Sequence, residues 1–325
     1  MTAAVRTPAA GLDRMLATYR RHTPMTEPGP HAEALRRLPA DVPALVEVIG
    51  GLFAHYELDP PAAGWQPGGD RLAEVDLRTT RRMLDRVLAL DPAPLTRARP
   101  LHRRWLGVCR DASLLLCAVL REQGVPARLR YGTAHHLYVP YRPMHDHVVV
   151  EYWSAAEGRW RYADGRMYRT ARDTFQLPDH YRDDVPESVF LTGARAWRRA
   201  QEGERAALRL SGLMLNADAG RWQARNLFLY DLAALAGWEP LMWDAWGYIR
   251  RARPQARPRG FLQYRKLDRL AALDDRDPEQ WRELLRRYRA TRLVRVPARV
   301  LSCSPVTGRR VVAAPPARRT PDDRD

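Results

Sequence analysis

Residues 105–132, WLGVCRDASLLLCAVLREQGVPARLRYG, decide the reading of this chain. From Gly107 the chain enters a helix whose apolar positions include Ala112, Leu115, Leu116, Val119 and Leu120. Arg121, Glu122 and Gln123 mark its polar end. Gly124 fits the position just past a helix, and Pro126 follows two residues later, so the stop signal is strong. Three β-type runs come next, at 127–133, 148–153 and 159–163. One helix followed by antiparallel strands predicts an α+β layer arrangement.

The cysteine at the start of this helix points to a chemistry. A thiol attacks a carbonyl only as thiolate, so a catalytic cysteine needs something that lowers its pKa. Cys109 stands at the first turn, where the helix dipole favours negative charge. The orphan N–H groups of that turn suit part of an oxyanion hole. Arg110 favours the thiolate and Asp111 opposes it. Cys117, two turns further into the apolar run, reads as a small core hydrophobe, and Cys303, near a hairpin turn, as structural.

The base comes from residues 144–153, MHDHVVVEYW. His147 opens the strand and shares a face with Val149, Glu151 and Trp153 by the two-residue period. Asp164 closes the following strand, in GRWRYAD at 158–164. With 154–158 as the hairpin loop, Trp153 faces Arg159 and His147 falls opposite Gly165, one residue from Asp164. A single bulge at Gly158 then brings His147 and Asp164 face to face. The carboxylate would orient the imidazole, as in any base–orienter pair. Cys109, His147 and Asp164 thus stand in the order and setting of a nucleophilic triad. His145 is the rival base and Asp146 the rival orienter.

A metal reading would join His145 and His147, at H-x-H spacing, to Asp164 and Cys109. It lacks the second paired motif that zinc sites show, and no cofactor is expected. His135 and His136 are adjacent and point to opposite faces of a strand, which makes them poor joint ligands. His31 and His55 read as surface or half-buried histidines.

The net charge of +16 rests almost wholly on arginine, since Lys266 is the single lysine. With abundant Ala and Pro this looks like a GC-rich coding bias, and a solvated Arg-rich surface is the simplest reading. Such a surface would still attract an acidic partner protein. No nucleic-acid-binding motif occurs. No run of eighteen apolar residues exists, so no membrane span is expected. The first residues lack the pattern of a signal peptide. Three cysteines build no disulfide framework and fit free thiols in a reducing cytoplasm.

The remainder divides into a helical N-terminal region at 1–95, the chemical core at 96–185, a mostly helical region at 186–313, and a disordered tail at 314–325. Helices are predicted at 12–21, 42–56, 70–90, 188–202, 227–236, 238–249 and 278–290. Asp41 reads as the N-cap of the second and Pro43 as its first position. An exposed Pro/Arg-rich loop is read at 252–260, and a hairpin from 293–302 and 309–313. Trp197, Trp222, Trp238, Trp243, Trp246 and Trp281 read mostly as core.

The central residues resemble the transglutaminase-like superfamily, within the papain-like fold. The matching elements are Cys109 at a helix start, then Gly124-Val125-Pro126-Ala127-Arg128 entering a strand, then His147 before an apolar-aromatic strand, then Trp160 through Asp164. The segment Thr23–Gly29 and the CRD at 109–111 are also similar to a bacterial group of such proteins. The resemblance covers 100–170 and implies a papain-like, α+β core: a nucleophile helix packed on an antiparallel sheet, with helical flanks. It implies a Cys-bound acyl intermediate resolved by water or an amine, on a small-molecule, peptide or carrier-bound acyl substrate, without cofactor. A non-catalytic scaffold is the alternative, since members without activity exist. The family's usual tryptophan after the histidine is Val149 here; Trp105 or Trp153 would serve instead, with Arg110 as a further substrate or oxyanion contact.

Overall fold

Gly124 takes the left-handed conformation, φ +80°, and Val125 N–H bonds back to Leu120 O at 2.8 Å, which ends the central helix where the sequence predicts. A computed structural model describes residues 8–135, 144–204, 210–211, 220–251 and 261–314. The predicted loop at 252–260, the tail from Pro315 and His136 lie outside the described residues.

Among the described residues eight helices run to nine residues or more. They are α1 (Pro8–Arg20), α2 (Val42–Leu52), α3 (Thr80–Leu90), α4 (Cys109–Glu122), α5 (Gly193–Gln201), α6 (Gly220–Leu235), α7 (Phe261–Ala271) and α8 (Pro278–Ala290). The strands are β1 (Phe53–His55), β2 (Trp105–Gly107), β3 (Ala127–Ala134), β4 (Met144–Ser154), β5 (Arg159–Ala163), β6 (Phe190–Thr192), β7 (Leu210–Ser211), β8 (Asp244–Ala245), β9 (Arg299–Ser304) and β10 (Gly308–Ala313). The central sheet runs β5-β4-β3-β6 antiparallel, and β7 adds to β4 in parallel. A second, parallel pair joins β1 to β2, and a third sheet runs β10-β9-β8. The class is α+β.

Helix α4 packs on β3 and β4, and Ser113 Oγ donates to Val148 O at 2.8 Å. Every residue from Cys109 to Arg121 is buried. A helix covered on all sides needs apolar residues around its whole circumference, and LLLCAVL supplies them. Residues of both flanks contribute to this core. One continuous buried cluster includes Met15, Leu45, Leu116, Val149, Phe228 and Trp281, and β6 extends the central sheet from beyond residue 186.

Several predicted helices are shorter than their apolar patterns. The 42–56 run stops at Leu52, and its last residues form β1. Gly50 and Gly51 weaken the helix there, and a Cβ at Gly50 would meet Tyr168 Cβ at 2.4 Å. The 70–90 run breaks into a short turn of helix, a 3-10 turn and α3. The 188–202 run begins as β6, because Phe190–Thr192 pairs with Gly132–Ala134. The 238–249 run is interrupted by β8, which pairs with β9. Asp41 caps α2 as predicted, accepting from Ala44 N–H at 2.9 Å. The C-terminal hairpin forms, with its first strand starting at Arg299.

Candidate active site

The geometry starts from the N-terminus of α4. Val108 is the N-cap, and its N–H donates to Asp111 Oδ2 at 2.9 Å. Asp111 therefore fastens the first turn from its third position, as acidic residues there do. Cys109 is the first helical residue and is 3% exposed.

His147 lies on β4 opposite Gly132 of β3. Its Nε2 is 2.7 Å from Asp164 Oδ2, and both side chains are fully buried. Asp164 Oδ1 accepts Arg166 N–H at 2.9 Å, so both carboxylate oxygens are held. The sequence-predicted bulge is absent from the β4–β5 ladder. Ser154 pairs with Arg159 and Val150 with Ala163, so the loop is 155–158, one residue shorter than predicted. Continued past Ala163, this register sets Asp164 opposite Val149, on the face that His147 shares, and diagonal to it. Gly158, at φ +61°, takes the turn itself.

The charge state of the thiol departs from the sequence reading. Burial pushes Cys109 up to about 12, the nearby Asp146 carboxylate adds to this, and Asp164 contributes in the same direction. Arg166 and a hydrogen bond from the Val148 backbone N–H oppose the shift without reversing it. Desolvation is the largest cause of the shift. Asp146, the rival orienter, is buried and accepts from Gln223 Nε2 at 3.1 Å. Cys117 is also buried and pushed up to about 12, in keeping with a core role, whereas Cys303 is half-buried. His145 is buried on β4 opposite Ala134.

The three substrate or oxyanion candidates separate. Trp105 is fully buried on β2, edge-on to Phe53 at 5.3 Å between ring centroids. Its Nε1 has no partner among the described residues. The Arg110 guanidinium donates to Asp111 Oδ1, Arg78 O and Glu239 O at 2.9, 2.9 and 2.6 Å. It is a strut between segments. Trp153 is placed apart from the His–Asp pair. It lies six residues along β4 from His147, about 20 Å at strand rise, and packs edge-on against Trp160. It lines an outer groove of about 920 Å³ with Leu12, Tyr162 and Arg276, in which Cys109, His147 and Asp164 take no part.

Two site residues went unread in the sequence. His55 is 1% exposed, not half-buried, and pairs with Gly107, two residues before Cys109. Burial, with help from Arg166 and His147, holds it well below the usual histidine range, so it is neutral. Arg166 is 1% exposed and follows Asp164 by two residues. Its position in ADGR was the only available signal; His55 had none, because its neighbours come from a distant strand. Among the described residues no three His, Cys, Asp or Glu side chains gather as metal ligands. No helix among them is long and apolar enough to cross a membrane.

An α+β fold with a helix-borne cysteine set on an antiparallel sheet, and a His–Asp pair on the neighbouring strands, defines the class structurally. Residues 90–165 match the model of the transglutaminase-like superfamily, a span that contains Cys109, His147 and Asp164, and the chain carries a transglutaminase-like domain there. No curated protein and no solved structure gives a significant match.

Proposed function

We propose that this protein is a cysteine-dependent acyl-transfer enzyme acting on an amide or thioester, with Cys109 as nucleophile, His147 as base then acid, and Asp164 as orienter. The buried 2.7 Å His147–Asp164 contact carries the reading, together with the family match over the same residues. A thiol held near 12 is protonated at neutral pH, so attack requires the base. Cys109 Sγ bonds to the carbonyl carbon as its proton passes to His147, and the C=O π pair moves onto oxygen. The first-turn N–H groups of α4 and Trp105 Nε1 are the donors assigned to that oxygen. Collapse breaks the C–N or C–S bond, and His147 returns the proton to the leaving group. Water or an amine then attacks the thioester carbon and gives its proton to His147, and Cys109 leaves and regains it. Within the cell we assign it to the cytoplasm, with a small-molecule, peptide or carrier-bound acyl donor.

The test is intact-mass analysis after exposure to a panel of small acyl thioesters and amides, with hydroxylamine as an alternative acceptor. An acyl adduct is expected on Cys109, absent in Cys109→Ala. Its formation should slow by about 10²–10⁴-fold in His147→Ala and in Asp164→Asn. Hydroxamate in place of acid would mark transfer to amines. No adduct on Cys109 from any donor would favour the second reading, a non-catalytic transglutaminase-like scaffold. The observation behind that reading is the burial and high pKa of the thiol.

A further inference from the structure

Five arginines rank among the largest fully buried side chains: Arg99, Arg110, Arg128, Arg130 and Arg166. Four of them are bonded through their guanidinium groups. Arg99 donates to the carbonyls of Pro94, Arg97 and Ala93, Arg110 to Asp111 and two carbonyls. Arg128 and Arg130 share Glu151 and Asp275. Arg166 is the exception. Its Nε and Nη1 are buried with no hydrogen-bond partner, and no carboxylate among the described residues forms an ion pair with it.

Its location gives this a direction. Gly165, between Asp164 and Arg166, lies against the first turns of α4: a Cβ there would stand 3.0 Å from Ala112 O and 3.2 Å from Ser113 N. The carboxylates nearby are engaged elsewhere, Asp164 by His147 and the Arg166 backbone, Asp146 by Gln223. His55, whose Nδ1 is likewise buried without a partner, is a neutral ring within electrostatic reach of it. The charge of Arg166 acts on both Cys109 and His55. A buried guanidinium left unpaired is strongly unfavourable unless a ligand completes it, and its planar fork matches a carboxylate.

We infer that Arg166, together with His55, forms a carboxylate-binding subsite next to Cys109, and that the acyl donor carries a carboxylate close to its scissile carbonyl. The inference rests on the reading of Cys109 as nucleophile, and its test separates the two.

Iodoacetate and iodoacetamide are near-isosteric probes that differ in a carboxylate. Each alkylates a thiolate by forming the S–C bond as iodide leaves. Their rate ratio at Cys109, read by peptide mass at mildly alkaline pH, is compared with the ratio for glutathione. Wild type should favour iodoacetate by about tenfold over glutathione, the worth of one charge-assisted pair. Arg166→Gln removes a charge that favours the thiolate, so both reagents slow, but iodoacetate should slow further and the ratio should return to the glutathione value; Arg166→Lys should recover part of it. A wild-type ratio no higher than glutathione's, or one unchanged in Arg166→Gln, overturns the subsite and leaves the nucleophile standing. Equal slowing of both reagents would make Arg166 only a counter-ion for the thiolate, and also overturns it.

A second arm does not need the thiol. In Cys109→Ala, sodium propionate should raise the melting temperature above sodium chloride at equal concentration, and Arg166→Gln should abolish the rise. If Cys109 resists both reagents, the nucleophile reading fails and this arm alone decides: a rise upholds the subsite and none overturns it. If Arg166→Gln does not fold, the wild-type ratio and the propionate–chloride contrast decide in the same way.

Discussion

At the residue scale, two buried thiols set a testable dependence on pH. Burial raises Cys109 and Cys117 to about 12, whereas a thiol in the unfolded chain ionises near about 8.5. The sign follows from linkage. Below the ordinary thiol pKa both states are protonated and stability is undiminished; above it the unfolded chain alone releases the proton, so stability falls as pH rises toward 12. Cys109→Ala and Cys117→Ala should each flatten that alkaline decline in thermal melts, whatever their offset at neutral pH. An unchanged slope in both would show that these thiols ionise as freely folded as unfolded. In the proposed mechanism the same burial requires His147 to act in step with attack and not on a preformed thiolate.

At the element scale, the site depends on three segments meeting with little room. Helix α4 is pinned to β4 by Ser113, β5 delivers Asp164 from its end, and β6 closes over β3 opposite the histidine. A Cβ at Gly132 would lie 2.0 Å from Leu191 O. The obstacle is backbone of a paired strand, so it cannot swing aside. Gly132→Ala should destabilise the protein by about 1–3 kcal/mol, read by urea unfolding, and should disturb His147, its partner across the ladder. A substitution that leaves the unfolding midpoint in place would mean that β6 sits further out than described. The short strands β1 and β6 were misread as helix because three residues carry no readable period; the partner strand decides their conformation.

At the scale of the whole molecule, buried charge ties the flanks to the sheet. Arg130 donates to Asp231 of α6, to Asp275 and to Glu151 of β4. Arg276 reaches the other oxygen of Glu151 at 2.7 Å. Arg128 lies over the rings of Tyr19 in α1 and Trp160 in β5, at 4.9 and 4.5 Å. Three guanidinium groups hold Glu151 well below the usual carboxylate range, against its burial. Removing one partner from such a network leaves the others desolvated and uncompensated. Arg130→Met should therefore cost about 3–5 kcal/mol in urea unfolding, although methionine is itself a good core residue. A cost within experimental error would show that the network adds nothing to the union of flanks and core.

The sequence by itself determined what depends on near neighbours: the limits of α4, the three strands after it, and Cys109, His147 and Asp164 in order along them. A 3.6-residue or two-residue period and a Gly–Pro stop are local signals, so they survive without the fold. The tertiary structure alone decided the one-residue register that makes a bulge unnecessary, the protonated state of the thiol, and the arrival of His55 and Arg166 beside it. Each of these is set by burial and by groups brought from far along the chain, and the free energy of desolvating a charge is a property of the assembled core.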